Sequence, residues 1–310
     1  MANKIIFMGT PLFAVPILKS LYQNGYPISV VYTQPPQKSN RGQKINKSPI
    51  QGISETLNLD FRCPKTLKDN EEEYNFLKEL NADLAIVVAY GQIIPKNFLT
   101  LTKKGFINIH GSILPKWRGA APIQRSIMNL DKDVGISIMR IIEELDSGPV
   151  SNIYRIKLDQ NSNAQEISEK LSLLAAEKIL ENVDDILEDK AIFNEQDHSK
   201  ATYAKKIDKA EGQLNWNDNA PNIIGKINGL FPFPGAFFNF NGQRYKVLKA
   251  EIGNGEGKTG EVLSDKLEIA CKDNQSVKIL EIQRQGKKSQ KIGEFMLGSN
   301  IKKGSIISNV

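Results

Sequence analysis

Through its first half the chain alternates short, continuously apolar runs with segments of helical length. KIIFMG is followed by PLFAVPILKSLYQNG, then PISVVYT, NEEEYNFLKELN, ADLAIVVAYG, GFINIHG, AAPIQRSIMNL and VGISIMRII. A strand with one face in water alternates apolar and polar residues. These runs do not, so both of their faces must be covered. Continuous strands joined by helix-length crossovers predict a doubly wound, mostly parallel α/β sheet, Rossmann-like in layout, whose ligands bind beyond the carboxyl ends of the strands. The pattern NAQEISEKLSLLAAEKILENVDDILEDK, with Leu, Ile and Ala at three- and four-residue spacing, closes this unit as a long helix.

The texture then changes. FNEQDHSKATYAKKIDKAEG is polar and reads as a connector, and from about residue 232 short β-type runs (GAFFNFNG, YKVLKAEI, KLEIACKD, VKILEIQR) are separated by NG, SD and DN turn signals. This predicts a small antiparallel, OB-like β-barrel. A length of 310 residues accommodates both, with expected boundaries at 1–189 for the first domain, 190–208 for the linker and 209–310 for the second. No apolar run reaches the roughly 18 to 20 residues that cross a bilayer, and Gly9 and Pro11 break the apolar opening, so a cytoplasmic protein is expected. Cys63 and Cys271 are far apart and the only histidines are His110 and His198, which leaves neither a disulfide framework nor a metal site in view.

Charge is segregated. Residues 1–50 carry six basic side chains and no acid, residues 151–200 carry eleven acids, and residues 201–310 hold 17 Lys and Arg against 11 Asp and Glu. A polyanionic partner touching the start and the end of the chain would account for this, as would ordinary solvated lysines. The segment Gln34–Ser48, rich in Pro, Gly and Lys, reads as an exposed loop whose Lys38, Arg41, Lys44 and Lys47 suit phosphates.

The stretch GFINIHGSILPKWRGAAP concentrates the chemistry. On a strand of period 2, Asn108 and His110 share a face and emerge together at the strand's carboxyl end. Gly111–Pro115 turns next, and Gly119, Ala120 and Ala121 are expected to begin a helix with Pro122 in its first turn. Downstream, VGISIMRIIEELDSGPV ends a strand in a turn bearing Asp146. A carboxylate there could fix an imidazole's tautomer, or Asp146 could simply be a turn residue before Ser147-Gly148. GNGEGKT fails as a phosphate loop because Ile252 occupies the first glycine position, and FMGTP lacks the GxGxxG fingerprint.

In order along the chain, IIFMGTPLFAVPIL, ADLAIVVAYGQIIP, NIHGSILPKWRGAAPIQRSI, LDSGPV, ATYAKKIDKAEGQLNW and FPFPGAFF resemble the methionyl-tRNA formyltransferases over essentially the whole sequence. The resemblance implies Asn108, His110 and Asp146 as a catalytic trio. It implies Ser112, Ile113, Leu114 and Pro115, with Tyr90 and Gly91, as the wall that binds 10-formyltetrahydrofolate, a co-substrate, with no metal. It further implies that initiator methionyl-tRNA is the partner, clamped by the basic loop with Arg41 in direct contact, and that the basic C-terminal domain holds the rest of the tRNA. Leu12, Asn228 and Pro149 depart from the residues usual at those places, and none belongs to the trio.

Overall fold

Hydrophobic runs of five residues become strands with no exposed position, and the helices between them carry one apolar stripe each. The computed structural model describes residues 3–39, 44–272 and 274–308. Strand β1 (Ile5–Gly9) is buried throughout. Helix α1 (Val15–Gln23) buries Ile17, Leu18 and Leu21 and returns the chain to β2 (Ile28–Tyr32). The segment expected as a loop instead forms a short hairpin ladder, β3 (Gln37–Ser39) against β4 (Lys44–Asn46), paired Gln37 to Asn46 and Lys38 to Ile45. Such pairing satisfies backbone groups that a polar loop leaves to water. Ser48 then caps α2 (Pro49–Thr56), its hydroxyl accepting the Gln51 N–H.

After β5 (Phe61–Arg62) comes α3 (Glu71–Leu80), with Asn70 as its cap, three glutamates in its first turn and Asn81 left-handed at its end. Strands β6 (Leu84–Val88) and β7 (Phe106–His110) follow, then β8 (Arg118–Gly119) and α4 (Pro122–Met128). The α4 helix therefore starts at Pro122 rather than Gly119, because Arg118 and Gly119 are drawn into a two-stranded ladder. Next are β9 (Asp133–Arg140), β10 (Val150–Lys157), α5 (Ala164–Leu187) and β11 (Tyr203–Ala204), the partner of β8.

The main sheet has the order β10-β9-β7-β6-β1-β2-β5. Pairs β2–β5, β1–β2, β1–β6 and β6–β7 are parallel, while β9 runs antiparallel to β7 with Ile107 opposite Arg140 and His110 opposite Ser137. The sheet is thus mostly parallel, as the apolar runs predict. Its core face holds Ile6, Met8, Val30, Tyr32, Ala85 and Val87.

Contacts divide the chain into two compact units, Met1–Gly119 with Gly135–Arg155 and Ser168–Tyr203, and Ala120–Val134 with Ile156–Ile167 and Ala204–Val310. The second is built on an antiparallel sheet of β12 (Ala236–Phe240), β13 (Gln243–Gly253), β14 (Glu268–Ala270), β15 (Ser276–Arg284) and β16 (Ser289–Lys291). Helices α6 (Ala220–Leu230) and α7 (Ile292–Leu297) pack on it. Its core centres on Trp216, Phe238, Tyr245 and Phe295, whose rings stack or meet edge-on at 5.4–6.0 Å. A Cβ at Gly225 or Gly229 of α6 would press into Leu130 or Met128, so these glycines let α6 approach the α4 end closely.

Candidate active site

The site begins with the pleat of β7. Asn108 and His110 project to one face, and a single carboxylate, that of Asp146, meets both: Asn108 Nδ2 donates to Oδ1 at 3.3 Å, and His110 Nδ1 lies 3.6 Å from Oδ2. The second separation is longer than a hydrogen bond. Oδ2 also accepts the Gly119 N–H at 2.8 Å. The His110 and Asp146 side chains are 6% and 14% exposed, so a charge that forms on the ring during reaction would meet the carboxylate in a medium with little water.

The tautomer of His110 follows from its other nitrogen. Nε2 lies 2.9 Å from the Trp117 carbonyl oxygen. A carbonyl only accepts, so Nε2 carries a hydrogen, and Nδ1 is the nitrogen turned toward Asp146. Trp117 aims that carbonyl from a left-handed conformation, φ +61°, held by its own N–H donating to Thr202 Oγ1 at 2.9 Å.

Antiparallel β9 leaves from the start of β7, where the Ile141 N–H donates to the Phe106 carbonyl. The turn after it must fold back across the face bearing Asn108 to bring Asp146 near His110. It does so with Asp146 at φ +48° and with Gly148 against the Arg140 carbonyl oxygen, where a Cβ would collide. The side-chain amide of Gln196 braces this turn. Its Nε2 donates to the Asp146 carbonyl at 2.9 Å and to the Gly148 carbonyl at 2.7 Å.

The loop expected to wall a ligand is anchored from β9. Ser137 Oγ, fully buried, donates to the Ser112 carbonyl at 2.7 Å and accepts the Leu114 N–H at 3.1 Å. Ser112 Oγ donates to the Lys116 carbonyl, and the Leu114–Pro115 peptide is cis. Leu114, Pro115, Val150, Ser151, Ile153 and the 194–197 segment line a cavity of about 240 Å³. Tyr90 is buried at the end of β6, its carbonyl accepting from Thr10 Oγ1, and its hydroxyl has no partner among the described residues. Burial and then the Glu73 charge push the Tyr90 phenol up, which keeps it a neutral donor. Gly91 is left-handed, and its carbonyl accepts from Gln34 Nε2.

Of the four basic residues singled out on the early segment, Lys38 lies on β3 and Lys44 on β4, while Arg41 falls outside the described residues. Lys47 Nζ holds the Glu55 carboxylate at 2.9 Å in an exposed pair. Sequence reasoning brought Asn108, His110 and Asp146 forward, and the structure brings their side chains together. It passed over Ser137, Gln196, Arg118 and the Trp117 carbonyl. Ser137 had a signal, a lone hydroxyl inside the apolar strand VGISIMRII, but Gln196 sat unmarked in a polar connector. Among the described residues no His, Cys, Asp and Glu cluster could hold a metal ion, and no helix is long and apolar enough to cross a membrane.

Residues 3–183 match the family model described as formyl transferase, and residues 206–300 match formyl transferase, C-terminal domain. In the solved structures, an N-formyltransferase from Helicobacter canadensis in complex with folinic acid and dTDP-3-aminofucose superposes with a TM-score of 0.70 at 17% identity, covering 92% of this chain and all of that one. HypX from Aquifex aeolicus in complex with tetrahydrofolic acid gives 0.66 at 17%, over 98% of this chain and 49% of its own. At such identities the likeness speaks for the fold. Closer relatives are the methionyl-tRNA formyltransferases of Pelagibacter ubique, 67% identical over the full length of both chains, and of Rhizobium rhizogenes, 40% identical over 99% of each. With both domain models matched in order and identity of this degree over every residue, the chain belongs to the methionyl-tRNA formyltransferase family.

Proposed function

We propose that this chain transfers the formyl group of 10-formyltetrahydrofolate to the α-amino group of methionyl initiator tRNA, with Asn108, His110 and Asp146 at the reacting centre. The observation that carries the residue assignment is the Asp146 carboxylate set against both the Asn108 amide and His110 Nδ1. In the reaction a bond forms between the α-amine nitrogen and the formyl carbon, the bond to N10 breaks, and one proton passes from the amine to N10. Bound formyltetrahydrofolate supplies the activated formyl group. Asn108 Nδ2 has a second N–H beyond the one given to Asp146, and this donates to the formyl oxygen as negative charge develops there. His110 moves the proton through Nδ1, since Nε2–H is committed to the Trp117 carbonyl. Asp146 holds both partners in register and balances the charge on the ring.

The residues present suit a folate. Ser112, Ile113, Leu114 and Pro115 form a loop pinned by Ser137, and the partnerless Tyr90 hydroxyl and Gly91 end the neighbouring strand. Ile93, Ile142 and Leu145, in the segments after β6 and β9, leave apolar surface exposed at 88%, 41% and 65%, cover suited to a flat ring. For the tRNA we assign Lys38, Arg41, Lys44 and Lys47 to the acceptor stem. In this reading 1–189 is catalytic, 190–208 is the linker, and 209–310, within the part that carries the positive excess, holds the remaining phosphates. A charged tRNA as acceptor implies a cytoplasmic location.

The test mixes purified protein, 10-formyltetrahydrofolate and methionyl initiator tRNA, and analyses the discharged amino acid by mass spectrometry, with His110→Ala in parallel. N-formylmethionine is expected only from the unaltered chain. Equal yield from His110→Ala removes the trio assignment. No product from the unaltered chain despite folate binding moves the acceptor to a small amine.

A further inference from the structure

The Asp146 turn is shaped by a side chain from a distant part of the sequence, and that side chain is set by a buried cation. Arg118 is 3% exposed. Its Nε and Nη2 both donate to Gln196 Oε1, at 3.1 and 2.8 Å, and its Nη1 and Nη2 face His198 Nδ1 at 3.4 and 3.5 Å. The guanidinium has no acceptor atom, so the oxygen of the Gln196 amide must face it. The NH2 group is thereby turned the other way, onto the Asp146 and Gly148 carbonyls. A flipped amide would put NH2 against a cation and oxygen against two carbonyl oxygens, so the orientation has no competitor. The cation polarises the amide and strengthens both outgoing bonds.

One of the two carbonyls belongs to the residue that carries the catalytic carboxylate, and the other lies two residues on in the same turn. Asp146 is left-handed there, a conformation that a residue with a side chain keeps only where its surroundings hold it. The carboxylate's own bonds, from Gly119 N and Asn108 Nδ2, set its tip, while Gln196 sets its backbone. Removing the second leaves the tip tethered to a turn free to relax.

From this geometry we infer that Gln196, oriented by Arg118, is a positioning residue for formyl transfer: it fixes the left-handed turn that presents Asp146 to Asn108 and His110. The inference rests on the trio assignment above. It gives the connector leaving α5 a role in catalysis, through Asp146 and without touching substrate.

Gln196→Glu tests it with nearly unchanged shape. The carboxylate keeps both bonds from Arg118, as an ion pair, but loses the two donors and sets negative charge against the Asp146 and Gly148 carbonyls. The expected result is a kcat lowered about 10- to 100-fold, the scale of an ångström-sized misplacement of a reacting group, with KM for folate and for tRNA within about twofold. Gln196→Met, neutral and of similar length, should give the same split. A double-mutant cycle with Asp146→Asn then separates positioning from general weakening. If Gln196 acts through Asp146, adding Gln196→Glu to Asp146→Asn costs little more; independent effects multiply. Unchanged kcat in both Gln196 variants, multiplying effects, or failure of both variants to fold would each overturn the inference. Full activity of Asp146→Asn alone would instead overturn the trio assignment, so the two failures are distinct.

Discussion

Ser137→Ala removes one oxygen and strands two backbone groups. Ser137 Oγ accepts the Leu114 N–H and donates to the Ser112 carbonyl, and Ser112 and Leu114 are both buried. Alanine offers neither partner. A buried donor or acceptor left without a partner costs about 1–3 kcal/mol. Two of them, partly relieved by relaxation of the 112–115 loop, bring the loss to about 2–4 kcal/mol. Urea unfolding of the purified variant reads this as a lower midpoint at unchanged slope. Because the relaxed loop is the wall assigned to folate, KM for 10-formyltetrahydrofolate should rise about tenfold, equivalent to about 1.4 kcal/mol, while KM for tRNA stays put. Ser151→Ala is the control: its hydroxyl donates one 3.2 Å bond to the Ile138 carbonyl at a half-buried position and should cost under about 1 kcal/mol. A destabilisation of Ser137→Ala no larger than the control's refutes the bridging argument. A full destabilisation with an unchanged folate KM refutes the placement of folate on this loop.

Asn108→Ala should lower kcat by about 10²–10³, the usual loss for one oxyanion donor, with circular dichroism unchanged; steady-state formylation checks it. Replacing Lys38, Arg41, Lys44 and Lys47 together by alanine should raise KM for tRNA and flatten the log–log salt dependence of tRNA binding by about 3, at roughly 0.7–0.9 per phosphate contact; an unchanged slope takes the acceptor stem away from this segment. The Arg125 guanidinium, bonded to Glu211 at 2.6 Å, holds that carboxyl below its ordinary value of 4.5 against the opposing effect of burial. A depressed carboxyl stabilises the fold above its unfolded value, and the benefit is lost as pH falls through the folded one. Arg125→Met should therefore cost about 1 kcal/mol at pH 7, with the two unfolding curves converging as the pH drops below 4.5.

The strands were readable because their apolar runs are continuous, and only a doubly covered sheet tolerates that. Asn108 and His110 were readable as neighbours because a pleat has period 2. The antiparallel course of β9 was not, since VGISIMRII is equally apolar in either direction. Helix α6 escaped because its glycines at 225 and 229 and its Pro221 look like breakers, whereas in the fold the glycines admit the α4 end and the proline sits in the first turn, where its missing N–H does no harm. The hairpin of β3 and β4 escaped because Gln-Lys-Ser on one side and Lys-Ile-Asn on the other are too short and too polar to show a hydrophobic alternation.

Two backbone conformations of the site that stayed hidden share one property: each belongs to a non-glycine residue held left-handed by tertiary bonds. Trp117 at φ +61° is fixed by Thr202 and by His110. Asp146 at φ +48° is fixed by Gly119, Asn108 and Gln196. Local preference argues against the conformation at Trp117, and at Asp146 it announces a turn without fixing its hand. Their cost, of order 1–3 kcal/mol apiece, is borne by tertiary hydrogen bonds that exist only once the sheet has formed. What the strain secures is direction. The Trp117 carbonyl selects which His110 nitrogen carries the fixed hydrogen, and the Asp146 turn decides where the carboxylate stands. With an extended backbone at either position, the same three side chains would still lie on the same strand and turn, but His110 Nδ1 and Asn108 Nδ2 would no longer share one carboxylate. The trio is therefore specified less by its own three residues than by the carbonyl and the amide that orient them.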